Sequence, residues 1–451
     1  MQVLSHPPSS ALLKATAPEL YGDGPDVAGL PVSFVIDLAL RHFARRGECK
    51  LFAVAQRLGL PVPVVDNLLG QMRSLTLLEV PRRGTLEGDV SFALTDAGQR
   101  MARLSFEKCQ YVGPAPVALA DYVAQVREQA QLLTPVRAER LHMVLKDLVL
   151  APELLPRLGS ALNSGKAIYL HGDSGTGKTF LAEHLVHTLE GHIWVPHAVC
   201  VDGEVVQVFD PTVHKRVTLV PVPDRTLARD LSDDGRWVRS ERPVVIAGGE
   251  LTLDMLDLEY DPHTRVHNAP PQMKANNGIF VVDDLGRQRM SPRDLMNRWI
   301  VPLDRHVDYL TLNTGTKFSV PFDVRVIFST NLSPEHLSDP AFARRMGYKI
   351  RIEALDAASY RKVVAQACAI TGVPLDVAAV DHLVNTLHPR DAQPYYPCIP
   401  LDVISKIADL DRYMNQPAQM TPERLEWAWL NYFGREGPVP GAHAPMSSGD
   451  R

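Results

Sequence analysis

The chain is poor in cysteine and has no long apolar segment. Five cysteines occur among 451 residues, and no two of them form a C-x-x-C pair. An odd, scattered set of this kind favours a reducing compartment and argues against a disulfide framework or a zinc site. No apolar run approaches the roughly 18 residues that a membrane-spanning helix requires. The N-terminus also lacks the basic-then-apolar order of a signal peptide. We therefore expect a cytoplasmic protein that does not insert into a membrane.

The chain also lacks a large excess of charge of either sign. It has 47 Lys and Arg against 52 Asp and Glu, a formal net charge of −5. This balance argues against a uniformly basic nucleic-acid-binding surface and leaves a local basic face open. The length predicts two or three domains. Residues 1–31 and 437–451 are rich in Pro, Ser, Gly and Ala, so we expect both segments to be flexible.

The most informative segment present is an octapeptide that matches the phosphate-loop pattern G-x-x-x-x-G-K-[ST] at every fixed position. Its residues are Gly172, Asp173, Ser174, Gly175, Thr176, Gly177, Lys178 and Thr179. Glycines let backbone N–H groups surround a phosphate. We expect Lys178 to reach the β- and γ-phosphates and Thr179 to bind Mg²⁺. A strand predicted at 167–170 and a helix predicted at 180–189 complete the arrangement, because a helix N-terminus attracts an anion. The segment predicts nucleoside triphosphate binding.

A buried strand that ends in two acids is predicted at residues 278–284. Its continuous apolar run is typical of a parallel sheet covered on both faces. Ligands of open α/β sheets bind at the carboxyl ends of such strands. We expect Asp283 to hold Mg²⁺ through water and Asp284 to orient or deprotonate the attacking water.

Polar residues also follow a second predicted strand, at 324–330. We expect the Asn331 amide to hydrogen-bond the γ-phosphate or the attacking water. Two adjacent arginines, Arg344 and Arg345, come next. A guanidinium is planar, stays charged and matches phosphate oxygens, which suggests an arginine finger. A surface pair bonded to acids is the alternative interpretation.

The order of these motifs resembles that of the AAA+ ATPases. Walker A lies at 172–179, Walker B at 279–284 and sensor 1 at Asn331, followed by an arginine finger and a helical lid. The resemblance covers about residues 145–435. It implies ATP and Mg²⁺ as ligands and a ring of identical subunits, usually a hexamer. The finger of one subunit would complete the ATP site of its neighbour. Arg345 matches the family position better, and Arg344 is the alternative.

The resemblance also implies a fold and a domain order. The predicted fold class is α/β, a P-loop domain at 145–353 with a parallel sheet and helices on both faces. A C-terminal α-helical lid is predicted at 354–436. Strands at 307–312 and 317–320 around an Asn/Gly turn predict a β-hairpin. Because it precedes the sensor strand, it is similar to the pre-sensor-1 hairpin of the superclade that includes the MoxR-like chaperones.

About 100 residues separate the two Walker motifs, more than a short connection needs, so inserted elements are expected there. A hairpin is predicted at 199–222, with its turn at Asp202 and Gly203. Residues 251–261 are a second candidate insertion.

The segment 32–113 is similar to a winged helix-turn-helix domain, with three predicted helices, two strands and a further helix. A linker helix is predicted within 114–144. Winged helices bind DNA or dock proteins, and the predicted recognition helix has few side chains suited to phosphate contact. It carries Asp66, Asn67, Gln71 and Arg73. Both roles remain open for residues 32–105.

Two positions depart from the AAA+ pattern. The second Walker B acid is Asp284, where most of the family has the longer Glu. A displacement of a reacting group by about 1 Å can cost around a hundredfold in rate, so slow hydrolysis is one expectation. Leu401 occupies the usual sensor 2 position, and Arg390 or Lys406 is the candidate substitute.

Three functions are consistent with the sequence. The first is a ring ATPase that remodels a protein partner, as MoxR-like chaperones do. The second is a DNA-associated ATPase, a regulator or a replication or transposition helper, that uses the winged-helix-like domain. The third is a slowly hydrolysing, ATP-switched scaffold. The sequence does not name the client.

Overall fold

The computed structural model describes residues 26–83, 90–217, 234–336 and 344–435. Predictions for 1–25, 84–89, 218–222, 339–343 and 437–451 therefore lie outside the described residues. The helices, in chain order, are α1 (Val32–Arg46), α2 (Leu51–Leu58), α3 (Val62–Ser74), α4 (Asp96–Lys108), α5 (Leu119–Gln131), α6 (Ala138–Val144), α7 (Leu154–Ser164), α8 (Lys178–Leu185), α9 (Pro271–Lys274), α10 (Pro292–Arg305), α11 (Ala357–Thr371), α12 (Val377–His382), α13 (His388–Arg390), α14 (Cys398–Tyr413) and α15 (Pro422–Tyr432).

Nineteen strands accompany these helices in the described residues. They are β1 (Asp26–Val27), β2 (Leu30–Pro31), β3 (Cys49–Lys50), β4 (Leu78–Arg83), β5 (Val90–Leu94), β6 (Val117–Ala118), β7 (Ala167–His171), β8 (Ile193–Pro196), β9 (Ala198–Val201), β10 (Glu204–Gln207), β11 (Trp237–Ser240), β12 (Val244–Ala247), β13 (Glu259–Asp261), β14 (Val266–Asn268), β15 (Ile279–Val282), β16 (Val307–Thr311), β17 (Lys317–Pro321), β18 (Arg325–Thr330) and β19 (Met346–Arg351).

The chain forms two units. The first comprises the described residues up to Pro135, then Gly165–Ala167 and Val186–Ile327. The second comprises Val136–Ser164, Ile168–Leu185 and the described residues from Phe328 onward.

The N-terminal part of the first unit contains helices α1–α4 and the antiparallel sheet β3-β5-β4. Its core contains Val35, Leu38, Leu58, Leu68 and Phe92, each at most 5% exposed. Helix α2 ends at a glycine in the left-handed conformation (Gly59, φ +67°), a common helix C-terminal device. The elements have the predicted order, and the winged-helix interpretation remains a resemblance.

The elements inserted between the two Walker motifs form, together with β6, the sheet β13-β14-β10-β9-β6, and they also form the pair β11-β8. Strands β9 and β10 form a hairpin at the predicted turn, with Val201 opposite Glu204 and a left-handed backbone at Asp202. Its second strand ends at Gln207, before the predicted bound of 222. A second hairpin, β16-β17, lies where the sequence predicts it and pairs Tyr309 with Ser319.

A further sheet has the strand order β12-β15-β18-β7-β19. In the first unit, β12 and β15 run parallel, with Val245 opposite Phe280. Strand β15 is buried along its whole length, as its apolar run predicts. Helix α10 covers it through Trp299, whose ring meets Phe280 edge-on at 5.2 Å between centroids. The fold is thus mixed α/β, with a parallel sheet and helices, as the sequence predicts.

The second unit ends in a helical region, α11–α15, which the sequence also predicts. Its core includes an aromatic group in which the His388 imidazole contacts Tyr360, Tyr395 and Trp429. Both ring nitrogens of His388 are bonded, one to the Tyr360 hydroxyl and one to the Gln393 carbonyl, each at 2.8 Å. Burial lowers the pKa of His388. Among the described helices, none combines the length and apolar character needed to cross a membrane.

Candidate nucleotide-binding site

The phosphate-loop octapeptide joins strand β7 to helix α8 in the second unit. Strand β7 ends at His171, and α8 begins at Lys178. All three glycines of the loop have positive φ, +148° at Gly172, +83° at Gly175 and +85° at Gly177. Side-chain-bearing residues rarely adopt such angles, so the loop needs glycine at these positions.

Close neighbours exclude side chains at two of these glycines. A Cβ on Gly172 would lie 2.1 Å from the Ile352 carbonyl oxygen, and a Cβ on Gly175 would lie 2.6 Å from the Cys398 sulfur. The Ile352 carbonyl cannot move away easily, because the Ile352 N–H is bonded to His171 O at 2.8 Å. The loop is therefore packed against β19 and the start of α14 through its own backbone.

Lys178 points back into the loop. Its side chain is 8% exposed, and its ammonium donates to the carbonyls of Gly172 (3.0 Å) and Asp173 (2.8 Å). The buried Thr176 hydroxyl donates to Asp173 O at 2.9 Å and closes the same turn. The loop thus presents a fixed positive charge beside a helix N-terminus, the two features that favour a phosphate. Thr179 is half-buried in the first turn of α8.

A residue from the lid contacts the loop directly. The Tyr396 hydroxyl donates a 3.0 Å hydrogen bond to Asp173 Oδ2. Burial and the neighbouring Asp173 carboxylate raise the pKa of Tyr396. Sequence analysis missed this residue, because the two partners are 223 positions apart and no pattern joins them.

Asn331 follows strand β18 and is exposed. The Tyr169 hydroxyl of β7 donates to Leu332 O at 2.9 Å, which fixes the chain just beyond Asn331. Burial raises the pKa of Tyr169 to about 12. Because Tyr169 belongs to the strand that leads into the phosphate loop, this bond ties the residue after Asn331 to β7.

The two candidate finger arginines precede β19, which begins at Met346. Arg344 is exposed and Arg345 is half-buried. Both belong to the second unit, as do the phosphate loop and Asn331.

The two acids belong to the first unit. Asp283 is half-buried at the end of β15, and its N–H is bonded to Ala247 O at 2.8 Å. Asp284 is exposed and has a left-handed backbone, with φ +49°. Its carboxylate lies 3.7 Å from the Arg287 guanidinium.

The candidate sensor 2 residues occupy different surroundings. Leu401 lies on α14 with 40% of its surface exposed. Arg390 is paired with Asp391 at 3.0 Å and is also bonded to Glu426. The hydrogen bond to Asp391 is the main reason that the pKa of Arg390 is raised. Asp391 also accepts from Trp429 Nε1 at 2.6 Å, so Arg390 is part of the lid's own polar network.

Across the described ranges, no group of three or more His, Cys, Asp or Glu side chains is arranged to hold a metal ion. The Thr179 hydroxyl and the Asp283 carboxylate, which the sequence analysis predicts as Mg²⁺ ligands, are oxygen donors of the kind that Mg²⁺ prefers.

Comparison with known proteins gives one family match within the chain. A family model described as a domain of unknown function (DUF8689) matches residues 356–431, the lid helices. This match covers a small part of the chain and assigns no activity. No curated protein matches the sequence.

Solved structures give a weak likeness. The Thermotoga maritima RuvB Holliday junction branch migration motor has a TM-score of 0.35 and 11% identity, over 63% of this chain and 70% of that one. Two mutants of the same protein have TM-scores of 0.35 and 0.36, with 11% and 10% identity. Each covers 66% of this chain, and the alignments span 71% and 70% of the two mutant chains. Overlap at this level does not identify a family, so function must be inferred from the residues themselves.

Proposed function

We propose that the protein is an AAA+ ATPase that binds and hydrolyses Mg·ATP and couples the nucleotide state to the remodelling of a protein partner as a ring oligomer. Lys178 binds the β- and γ-phosphates, and Thr179 binds Mg²⁺. Asp283 contributes to Mg²⁺ binding, and Asp284 orients or deprotonates the attacking water. Asn331 and the finger, Arg345 or Arg344, stabilise the charge that develops on the γ-phosphate.

The observation that supports ATP binding most strongly is the position of Lys178. Lys178 is only 8% exposed, and its ammonium lies within the loop, bonded to the carbonyls of Gly172 and Asp173. The loop itself is shaped by three glycines of positive φ and leads directly into α8, whose N-terminus favours an anion. A triphosphate bound at the start of α8 would therefore meet both the helix N-terminus and the Lys178 ammonium.

Isothermal titration of the full-length protein with Mg·ATP tests this proposal. Lys178→Ala should abolish measurable binding, while Lys146→Ala, at an exposed position in the same unit, should leave the affinity unchanged. Equal affinity in wild type and Lys178→Ala would reject the phosphate-loop assignment.

The protein-remodelling role is supported by the single nucleotide-binding module and the acidic net charge of −5. An Asp284→Asn variant held in its ATP state should retain a client that wild type releases. Mass spectrometry of the proteins that co-purify with Asp284→Asn identifies this client, and Lys178→Ala serves as the parallel bait. A protein enriched by Asp284→Asn and absent from Lys178→Ala supports remodelling.

DNA association is the second candidate, and it rests on the winged-helix-like order of helices and strands in residues 32–105. Helix α3 would be the contacting helix, and Arg73 is its exposed cation beside the exposed Asp66, Asn67 and Gln71. Phosphate contacts by such a surface would weaken steeply as salt rises. Full-length protein should then bind duplex DNA at low salt, and Arg73→Glu should weaken that binding. Absence of binding at low salt would remove this candidate.

A further inference from the structure

The chain after strand β15 folds into a turn that is closed by a side chain. Gln288 Oε1 accepts from the Gly286 N–H at 2.8 Å, and Gln288 Nε2 donates to the carbonyls of Asp283 (2.7 Å) and Asp284 (3.2 Å). A single amide side chain thus bonds three backbone groups of the turn. Gln288 itself is half-buried, and its bond to the Asp283 carbonyl is partly shielded from water.

The turn holds Asp284 in an unusual conformation. Its φ of +49° lies in the left-handed region, which costs an L-residue about 1 kcal/mol or more. The Arg287 N–H is also bonded to Asp284 O, at 2.9 Å. The Asp284 carbonyl therefore accepts from both Arg287 and Gln288, and these bonds offset the cost of the conformation.

The backbone at Asp284 matters more than it would for a longer acid. An aspartate has only two side-chain torsions, so its carboxylate position follows closely from the direction of its Cα–Cβ bond. A left-handed backbone turns that bond to a different direction from the one an extended strand would give. The turn therefore sets the position of this carboxylate. Its position matters because a shift of about 1 Å in a reacting group can cost around a hundredfold in rate.

The ion pair with Arg287 is the weaker of the two restraints. The Arg287 and Asp284 side chains are 65% and 52% exposed and 3.7 Å apart. Exposed ion pairs contribute about 0–1 kcal/mol, and part of that is lost to side-chain entropy. The three backbone bonds made by Gln288 are shorter, at 2.8, 2.7 and 3.2 Å, and the one to the Asp283 carbonyl is partly buried.

We propose that Gln288 is a positioning residue for ATP hydrolysis, which acts by fixing the backbone of Asp284. The inference rests on the proposed function, because it assigns Gln288 a role in the same reaction. It accounts for how Asp284 can serve where most of the AAA+ family has Glu. Gln288 touches neither nucleotide nor water in this role and acts only through the turn.

A double-mutant cycle on the full-length protein tests this role. Gln288→Ala should lower kcat at least tenfold while KM for ATP and the melting temperature change little. In an Asp284→Asn background, Gln288→Ala should have no further effect on kcat, because the residue it positions has lost its function. Gln131→Ala, the same truncation at the exposed last residue of α5, should leave kcat unchanged.

The outcomes separate the inference from the proposed function. Wild-type turnover with unchanged kcat in Gln288→Ala would overturn the positioning role and leave the ATPase proposal standing. A fall in kcat accompanied by loss of ATP binding and a lower melting temperature would show a purely structural role and would also overturn it. A wild-type protein with no turnover above Lys178→Ala would overturn both.

Discussion

The Tyr396 hydroxyl donates a 3.0 Å hydrogen bond to the Asp173 carboxylate and so joins the lid to the phosphate loop. Asp173 is also the residue whose carbonyl accepts from the Lys178 ammonium. One loop residue therefore contacts both the lid and the lysine that we propose to bind phosphate. Lid position and loop geometry are coupled through Asp173.

Tyr396→Phe tests this coupling. The variant keeps the ring and removes one hydrogen bond to a carboxylate, a contribution of about 1 kcal/mol for a partly exposed pair. We expect roughly fivefold weaker Mg·ATP binding, because the loop then loses a restraint that holds it in shape. Tyr413→Phe, on α14 with 89% of its surface exposed, is the matched control. Equal affinities in all three proteins would show that the bond does not influence the loop.

Gly172→Ala tests the packing of the loop. The added Cβ would meet the Ile352 carbonyl oxygen at 2.1 Å, and both backbones would have to shift. We expect the free energy of unfolding to fall by about 2–3 kcal/mol, as for other overpacked sites. Gly372→Ala is the control, because Gly372 has φ +74° and nothing within 4 Å, so it should lose only about 1 kcal/mol. Equal losses in urea unfolding would contradict the close approach.

The elements that could be predicted from sequence are those with a local pattern. Helix α11 (Ala357–Thr371) lies within the helical region predicted at 354–436, and its apolar spacing and its Asp356 cap are both local to the segment. Strand β15 was recognisable from its continuous apolar run, and the β9-β10 turn from Asp202 and Gly203.

The contacts that escaped prediction join residues far apart in sequence or act through the backbone. Tyr396 and Asp173 are 223 residues apart, and no periodicity links them. Gln288 lies in a short polar loop whose composition suits any exposed turn, and its role follows only from the positive φ of Asp284. The parallel pairing of β10 with β14 was equally hidden, because a parallel register depends on the intervening chain.

His197 should make the protein sensitive to acid. Burial is the main cause that lowers the pKa of His197 to about 4, and the nearby Arg216 adds to it. The unfolded state, with a His pKa near 6.5, binds the proton more readily below that pH. At pH 7 the folded state is neutral and the unfolded state largely so, and the destabilisation therefore grows as the pH falls through about 6.5 and levels off below about pH 4.

His197→Gln removes this titration. Between pH 7 and pH 5, wild type should lose about 2 kcal/mol of unfolding free energy more than the variant does. Urea unfolding of both proteins at the two pH values measures the difference. An identical loss in both would show that His197 does not stay neutral in the folded protein.

Asp284→Asn separates binding from hydrolysis. Asn tolerates a left-handed backbone as well as Asp does, so the turn should persist. The amide cannot accept a proton, and we expect kcat to fall at least a hundredfold with ATP affinity within twofold of wild type. Asp254→Asn, at an exposed position in the same unit, is the control. An unchanged kcat in Asp284→Asn would exclude Asp284 as the residue that orients the water.

The measurement that tests the central claim most directly is steady-state phosphate release from Mg·ATP by the full-length protein and by Lys178→Ala. We predict that the turnover rate per wild-type subunit rises with protein concentration, because a neighbouring subunit supplies Arg345 in the proposed ring. Lys178→Ala should release no phosphate above background. Wild-type phosphate release no faster than that of Lys178→Ala would contradict the ATPase function and favour an ATP-switched scaffold.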